Sequence, residues 1–151
     1  MTKTQTTVLK VAAVLWVIWG LVHMLAGVMT IAQETPGAVA GIADAVDPVL
    51  LANTYHAAVG AVINQHGFNL LWIGLATTIS AVFIWRGNMT AIWVAAMVGG
   101  LADVGYFLFM DLGGFVHFVP GSVMTLISAS AILLSFWVWL AGRGTSAGIT
   151  R

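Results

Sequence analysis

Apolar residues form four long runs along the chain, and most polar positions fall between these runs. The runs cover residues 8–32, 62–86, 89–110 and 121–142. Each run has about the 20 residues that an α-helix needs to cross the hydrocarbon core of a bilayer. None shows the alternation of polar and apolar residues that a membrane β-strand requires, so the pattern indicates helices. The chain is therefore expected to be an all-α integral membrane protein with four transmembrane helices.

The segments between the apolar runs predict how the helices are connected. Arg86-Gly87-Asn88 leaves room only for a tight turn, which makes the second and third helices antiparallel neighbours. The first loop, residues 33–52, is longer, and its middle predicts a short amphipathic helix that lies on the membrane surface and ends at Asp47-Pro48. Residues 1–151 are therefore expected to form one domain, an antiparallel four-helix transmembrane bundle.

Composition supports a membrane location and excludes several classes of protein. Hydrophobic residues make up 60% of the 151 residues, charged residues make up 7%, and the mean hydropathy is +1.01. A soluble domain has about 25% charged residues, so most of this chain's surface is expected to face the lipid bilayer. The absence of cysteine excludes disulfides and thiolate metal ligands. The formal net charge is zero and the sequence has no basic run, which excludes the usual electrostatic mode of nucleic-acid binding.

The formal charges divide between the two ends of the predicted helices. Basic residues precede the first helix, lie between the second and third helices, and follow the fourth, whereas the loop acids fall in the first and third loops. Since basic loops stay in the cytoplasm, this asymmetry predicts an inner-membrane protein with both termini cytoplasmic. The basic residues are Lys3, Lys10, Arg86, Arg143 and Arg151, and the loop acids are Glu34, Asp44, Asp47 and Asp111.

Several polar residues interrupt the apolar runs at similar expected depths. At about 1.5 Å per helical residue, His23 lies about 20 Å and Asp103 about 22 Å from the cytoplasmic face. On the second helix, Asn69 lies at about 25 Å and His66 at about 30 Å, near the outer rim. We therefore expect an outward-facing intramembrane pocket, built from these side chains and from aromatic residues on the same helices. The predicted ligand-binding residues are Trp19, His23, His66, Asn69, Trp72, Asp103 and Tyr106.

Three kinds of ligand site suit these residue types. A pocket for a small apolar or amphipathic molecule, or for a proton, needs only that the side chains converge. A metal ion would be held by His23, His66 and Asp103, a set of two histidines and one carboxylate. Haem b would need His23 and His66 as axial ligands, although their expected depths differ by about 10 Å. The spacing favours the pocket over the metal ion and the metal ion over haem. Either cofactor would indicate a membrane oxidoreductase, so whether the chain is an enzyme stays open.

A second class of function also stays open, in which the chain is an accessory or structural subunit of a larger membrane complex. A buried histidine or carboxylate can serve only to hold helices together through hydrogen bonds. Small-residue faces at Gly99-Gly100 and at residues 128–131 also allow a homo-oligomer. Intramembrane carboxylates usually have a function, however, so Asp103 carries the prediction of a site.

Overall fold

The computed structural model describes residues 1–146, which are almost entirely helical. Helix accounts for 84% of these described residues, and none of them lies in a strand. Four helices are long and apolar enough to cross a membrane, namely Lys3–Ala32, Ala57–Trp85, Met89–Asp111 and Gly121–Gly142, so the prediction of four long apolar helices is confirmed. Arg151, one of the basic residues used to orient the chain, lies outside the described residues. The elements in order are α1 (Lys3–Ala32), α2 (Thr35–Ile42), α3 (Pro48–Leu51), α4 (Ala57–Trp85), α5 (Met89–Ala95), a first π turn (Ala96–Gly100), α6 (Leu101–Tyr106), a second π turn (Phe107–Asp111) and α7 (Phe118–Ser146).

The first loop contains two short helices instead of the single one predicted. α2 follows Glu34 and ends at Ile42, and α3 begins at Pro48. Asp47 caps α3, since its Oδ1 accepts a hydrogen bond of 2.9 Å from the backbone N–H of Val49. Asp47-Pro48 therefore starts a helix, and the prediction that a helix ends there is wrong. The physical reason is that proline needs no partner for an N–H in the first turn of a helix.

A tight turn on residues 86–88 joins α4 to α5. Gly87 has a φ of +83°, a left-handed conformation that glycine adopts without strain. Asn88 then caps α5, because its Oδ1 accepts hydrogen bonds of 3.0 and 3.2 Å from the backbone N–H groups of Thr90 and Ala91. The turn brings the end of α4 directly to the start of α5.

Removal of this cap is expected to weaken the connection between α4 and α5. Asn88→Ala should lower the free energy of unfolding by about 1 kcal/mol, since two N–H groups lose their acceptor. Asn88→Asp keeps an acceptor oxygen and is the matched control. Unfolding of the detergent-solubilised protein by SDS, followed by circular dichroism, measures both variants. Equal losses in the two variants would contradict the capping role.

Glycines hold α1 and α4 in close contact. A Cβ added to Gly20 would lie 2.6 Å from the backbone oxygen of Gly74, and one added to Gly27 would lie 2.5 Å from the backbone oxygen of Gly67. Both separations are too short for a real Cβ, so these positions need glycine. The glycines pair in opposite order along the two helices, because the glycine nearer the start of α1 meets the glycine nearer the end of α4. Small residues that allow this close backbone approach are typical of contacts between membrane helices.

The buried core lies among α1, α4, α5 and α7, and the outward faces of the long helices remain apolar. Leu25, Leu101 and Leu133, for example, are 60%, 65% and 71% exposed. A large exposed apolar surface of this kind is consistent with contact to a lipid bilayer. The largest fully buried apolar side chains are Leu9, Trp16, Trp19, Ile84, Ile92 and Val138.

Candidate functional site

Asp103 lies in the third long helix between the two π turns. α6 carries it, the first π turn precedes α6, and the second π turn follows. A π turn contains more residues than an α-helical turn and so changes which side chains share a face, and such turns are frequent at functional sites. The Asp103 side chain is buried, with 3% of the residue exposed. It faces Trp19 of α1 and Ser128 of α7.

Two side chains of α1 meet Asp103 in what we call the buried cluster, composed of Trp19, His23 and Asp103. The indole Nε1–H of Trp19 donates a hydrogen bond of 2.7 Å to Asp103 Oδ2. His23 Nε2 lies 3.8 Å from the other carboxyl oxygen, Oδ1. The imidazole ring stacks on the indole ring, with 3.6 Å between their centroids and 20° between their planes. The stacking holds the imidazole in an orientation that directs Nε2 towards the carboxyl.

The hydrogen bonds of the buried cluster determine where its hydrogens lie. His23 Nδ1 is 2.8 Å from the backbone oxygen of Trp19. A carbonyl oxygen can only accept, so we infer that Nδ1 carries the hydrogen and donates it. The indole of Trp19 can only donate, so Asp103 Oδ2 must accept. Nε2 and Oδ1 then face each other, each with a lone pair when neither is protonated. One proton between them removes the repulsion of these lone pairs.

The predicted site residues on α4 do not join the buried cluster. His66 is exposed. Asn69 Oδ1 accepts a hydrogen bond of 3.1 Å from Trp72 Nε1 on the same helix. With 3.6 residues per turn, Asn69 and Trp72 lie on the side of α4 opposite Gly67 and Gly74. The physical reason is that the glycines form the face that contacts α1, which turns the polar residues away from it.

The metal and haem alternatives have no support in the described residues. Within residues 1–146, no group of three histidine, aspartate or glutamate side chains lies close enough together to hold a metal ion. His23, His66 and Asp103 therefore do not form the predicted metal set. Both ring nitrogens of His23 are also engaged, Nδ1 with Trp19 and Nε2 opposite Asp103. An axial bond to haem iron would require His23 to leave this arrangement.

The predicted small-molecule pocket is not found in the described part of the chain either. Trp19 is fully buried in the core, whereas Trp72 is 44% exposed on the surface of α4, so the two rings do not enclose a common space. An open depression of about 550 Å³ lies at the first loop, and none of the predicted ligand-binding residues lines it. Its lining residues are Gln33, Glu34, Thr35, Pro36, Asn53, Thr54, Tyr55 and Asn64.

Tyr106 lies beside a second buried carboxyl, Asp111, that the sequence pattern assigned to the third loop. A Cβ added to Gly121 of α7 would lie 2.6 Å from Asp111 Oδ1 and 3.3 Å from the Tyr106 hydroxyl. Both groups therefore occupy the space that this glycine leaves free. Asp111 is only 7% exposed, because it forms the last residue of the second π turn and points towards α7.

The first and third loops are tied together close to Tyr106. Asp44 Oδ1 accepts a hydrogen bond of 2.8 Å from the backbone N–H of His117. A backbone-to-backbone hydrogen bond of 3.2 Å joins the same two loops. Asp44 and Asp111 both act electrostatically on the Tyr106 hydroxyl. The polar side chains of Asp44, Tyr106 and Asp111 therefore lie near one another at this end of the third long helix, next to the loops.

Comparison with known proteins does not add a function to this geometry. No protein-family model, no curated protein and no solved structure matches the chain.

Proposed function

We propose that the chain is a single-domain, multi-pass inner-membrane protein whose four long helices form an antiparallel bundle with both termini in the cytoplasm. The length of the helices and their apolar outward faces support insertion into a membrane. The reversed glycine contacts and the tight turn at residues 86–88 support the antiparallel order. Lys10 Nζ lies 5.0 Å from the centre of the Trp85 ring, which supports a common level for the start of α1 and the end of α4. The division of basic and acidic residues supports the cytoplasmic termini.

Within this bundle, we propose that the buried cluster binds one proton between His23 and Asp103. The observation that carries this proposal is the separation of 3.8 Å between His23 Nε2 and Asp103 Oδ1. Nδ1 and Oδ2 are the atoms that bond to Trp19, which leaves Nε2 and Oδ1 facing each other. A proton is the ligand that needs neither a third metal-binding side chain nor a cavity.

The energetics of burial support this assignment. With one proton bound, the His23–Asp103 pair has no net charge, whether the proton lies on Nε2 or on Oδ1. Without it, the pair carries a net negative charge away from water, which costs several kcal/mol. The separation of 3.8 Å exceeds the length of about 2.7–3.2 Å for an N–H···O hydrogen bond. Proton binding is therefore expected to draw the two groups together by up to about 1 Å.

Nitrogen-15 NMR of selectively labelled histidine tests the proposal directly, since the chain has only 4 histidines. The ¹⁵N shifts of each ring report which nitrogen is protonated. In the wild-type protein in lipid nanodiscs, His23 is expected to keep its hydrogen on Nδ1 while Nε2 titrates in a single step. Asp103→Asn is expected to displace the midpoint of that step by about one pH unit or more, because a charged partner within about 4–6 Å has an effect of this size.

The exposed His66 provides the matched control for this titration. His23→Gln should remove the assigned signals and leave the other histidines unchanged, and His66→Gln should leave the His23 step unchanged. If Asp103→Asn leaves the midpoint where it is in the wild type, His23 and Asp103 do not share a proton. The cluster would then serve only to pack α1 against α6, as an accessory subunit requires.

A further inference from the structure

A line of polar side chains on α7 joins the buried cluster to the loop end of the third long helix. Gly121, Thr125 and Ser128 are spaced by four and three residues, so they lie on one face of α7. Gly121 borders Asp111, and the Ser128 hydroxyl faces the Asp103 carboxyl. Ser128 also donates a hydrogen bond of 3.1 Å to the backbone oxygen of Thr125.

Three oxygen atoms along this line are buried without a hydrogen-bond partner in the described structure. They are both carboxyl oxygens of Asp111 and the Oγ1 of Thr125. A buried polar atom without a partner costs about 1–3 kcal/mol in proteins, and native proteins retain few of them without a functional reason. Asp111 is the more telling case, since its side chain has two strong acceptors and only 7% of the residue is exposed.

From this arrangement we infer that Asp111, Thr125 and Ser128 form the path by which protons from the outer side reach the buried cluster. The inference rests on the proposed binding of a proton by His23 and Asp103. Asp111 lies at the loop end of the path beside Tyr106, and Asp44 is a further ionisable group near the Tyr106 hydroxyl. Asp103 lies at the inner end of the path.

The transfer along this path conserves protons and moves no electrons other than those of the O–H bonds. Asp111 accepts a proton that enters between the outer loops and passes it towards the Thr125 hydroxyl. Each hydroxyl accepts a proton on its oxygen and releases its own to the next acceptor, with water bridging where hydroxyls do not touch. The seven residues from Gly121 to Ser128 span about 10 Å, so a few such bridges complete the path. Ser128 finally delivers the proton to the Asp103 carboxyl, beside His23.

The rate at which the buried cluster takes up a proton tests the path. The Trp19 ring stacks on His23, so protonation of the imidazole is expected to quench Trp19 fluorescence. The His23→Gln variant supplies the background from the other tryptophans. In a stopped-flow pH jump on protein in nanodiscs, Asp111→Asn and Thr125→Val are each expected to slow the quench by about tenfold or more. Both substitutions nearly preserve side-chain shape, and the final amplitude is expected to stay as in the wild type.

Ser135→Ala is the matched control, because Ser135 is a buried hydroxyl on α7 that lies seven residues beyond Ser128, away from the loops. It is expected to leave the rate unchanged. Wild-type rates in both Asp111→Asn and Thr125→Val would overturn the path, and so would a slow rate confined to Ser135→Ala, which indicates access from the cytoplasmic side. A wild-type protein without any pH-dependent quench would instead overturn proton binding at His23 itself, so the two failures are distinguishable.

Discussion

Gly74→Ala is expected to lower the free energy of unfolding by about 1–3 kcal/mol, the usual cost of overpacking. The new Cβ would meet the backbone oxygen of Gly20 and would lie 2.8 Å from the backbone nitrogen of Met24. Both atoms belong to the α1 main chain, so no side-chain rotation can relieve the clash. α1 and α4 would have to separate along their length, and SDS unfolding followed by circular dichroism measures the loss.

Gly105→Ala is the control for this substitution, since it makes the same change in another helix. A Cβ at Gly105 has nothing within 4 Å, and alanine is favoured over glycine in a helix by about 0.8–1.0 kcal/mol. The variant is therefore expected to be as stable as the wild type or slightly more stable. If Gly74→Ala and Gly105→Ala have the same effect, helix propensity rather than close approach governs both positions, and the glycine contact between α1 and α4 is not important.

The sequence was enough to predict four long apolar helices, because a run of about 20 apolar residues leaves few alternatives. It was not enough to choose the face by which α4 contacts α1. The polar residues His66 and Asn69 suggested one face, whereas Gly67 and Gly74 form the face that the structure uses. Lipid is as apolar as leucine, so close backbone approach decides how membrane helices pack. The matching seven-residue spacing of Gly20 and Gly27 was the available signal.

The sequence pattern also did not predict that Asp111 lies in the third long helix, and the reason is different. Expected depths and faces assumed a straight α-helix from residue 89 onward, which ended before Asp111 and left it in a loop. The two π turns, Ala96–Gly100 and Phe107–Asp111, change the register and extend the helix to include this residue. No residue type or spacing in the segment indicates a π turn. The similar depths predicted for His23 and Asp103 did not depend on the second π turn, because Asp103 precedes it. His23 Nε2 and Asp103 Oδ1 lie 3.8 Å apart in the structure.

Trp19→Phe is expected to lower the free energy of unfolding by about 2–3 kcal/mol, although phenylalanine keeps an aromatic ring in the core. The variant removes the Nε1–H that bonds to Asp103 Oδ2 at 2.7 Å, and a buried acceptor left without its donor costs about 1–3 kcal/mol. It also leaves an unfilled volume at a fully buried position. Trp72→Phe makes the same change at a position 44% exposed and should change stability by no more than about 0.5 kcal/mol.

A double-mutant cycle separates the hydrogen bond from the lost volume. Asp103→Leu alone leaves the buried indole N–H of Trp19 without its acceptor, so it is expected to destabilise the protein by about 1–3 kcal/mol. The double variant, Trp19→Phe with Asp103→Leu, leaves no polar atom of the pair unpaired. Its loss in free energy of unfolding is therefore expected to be smaller than the sum of the two single losses by about 1–3 kcal/mol. Additive losses would mean that Trp19 contributes only its ring. The carboxyl of Asp103 would then have no fixed donor on α1, and nothing would distinguish Oδ1 from Oδ2 as the oxygen that faces His23.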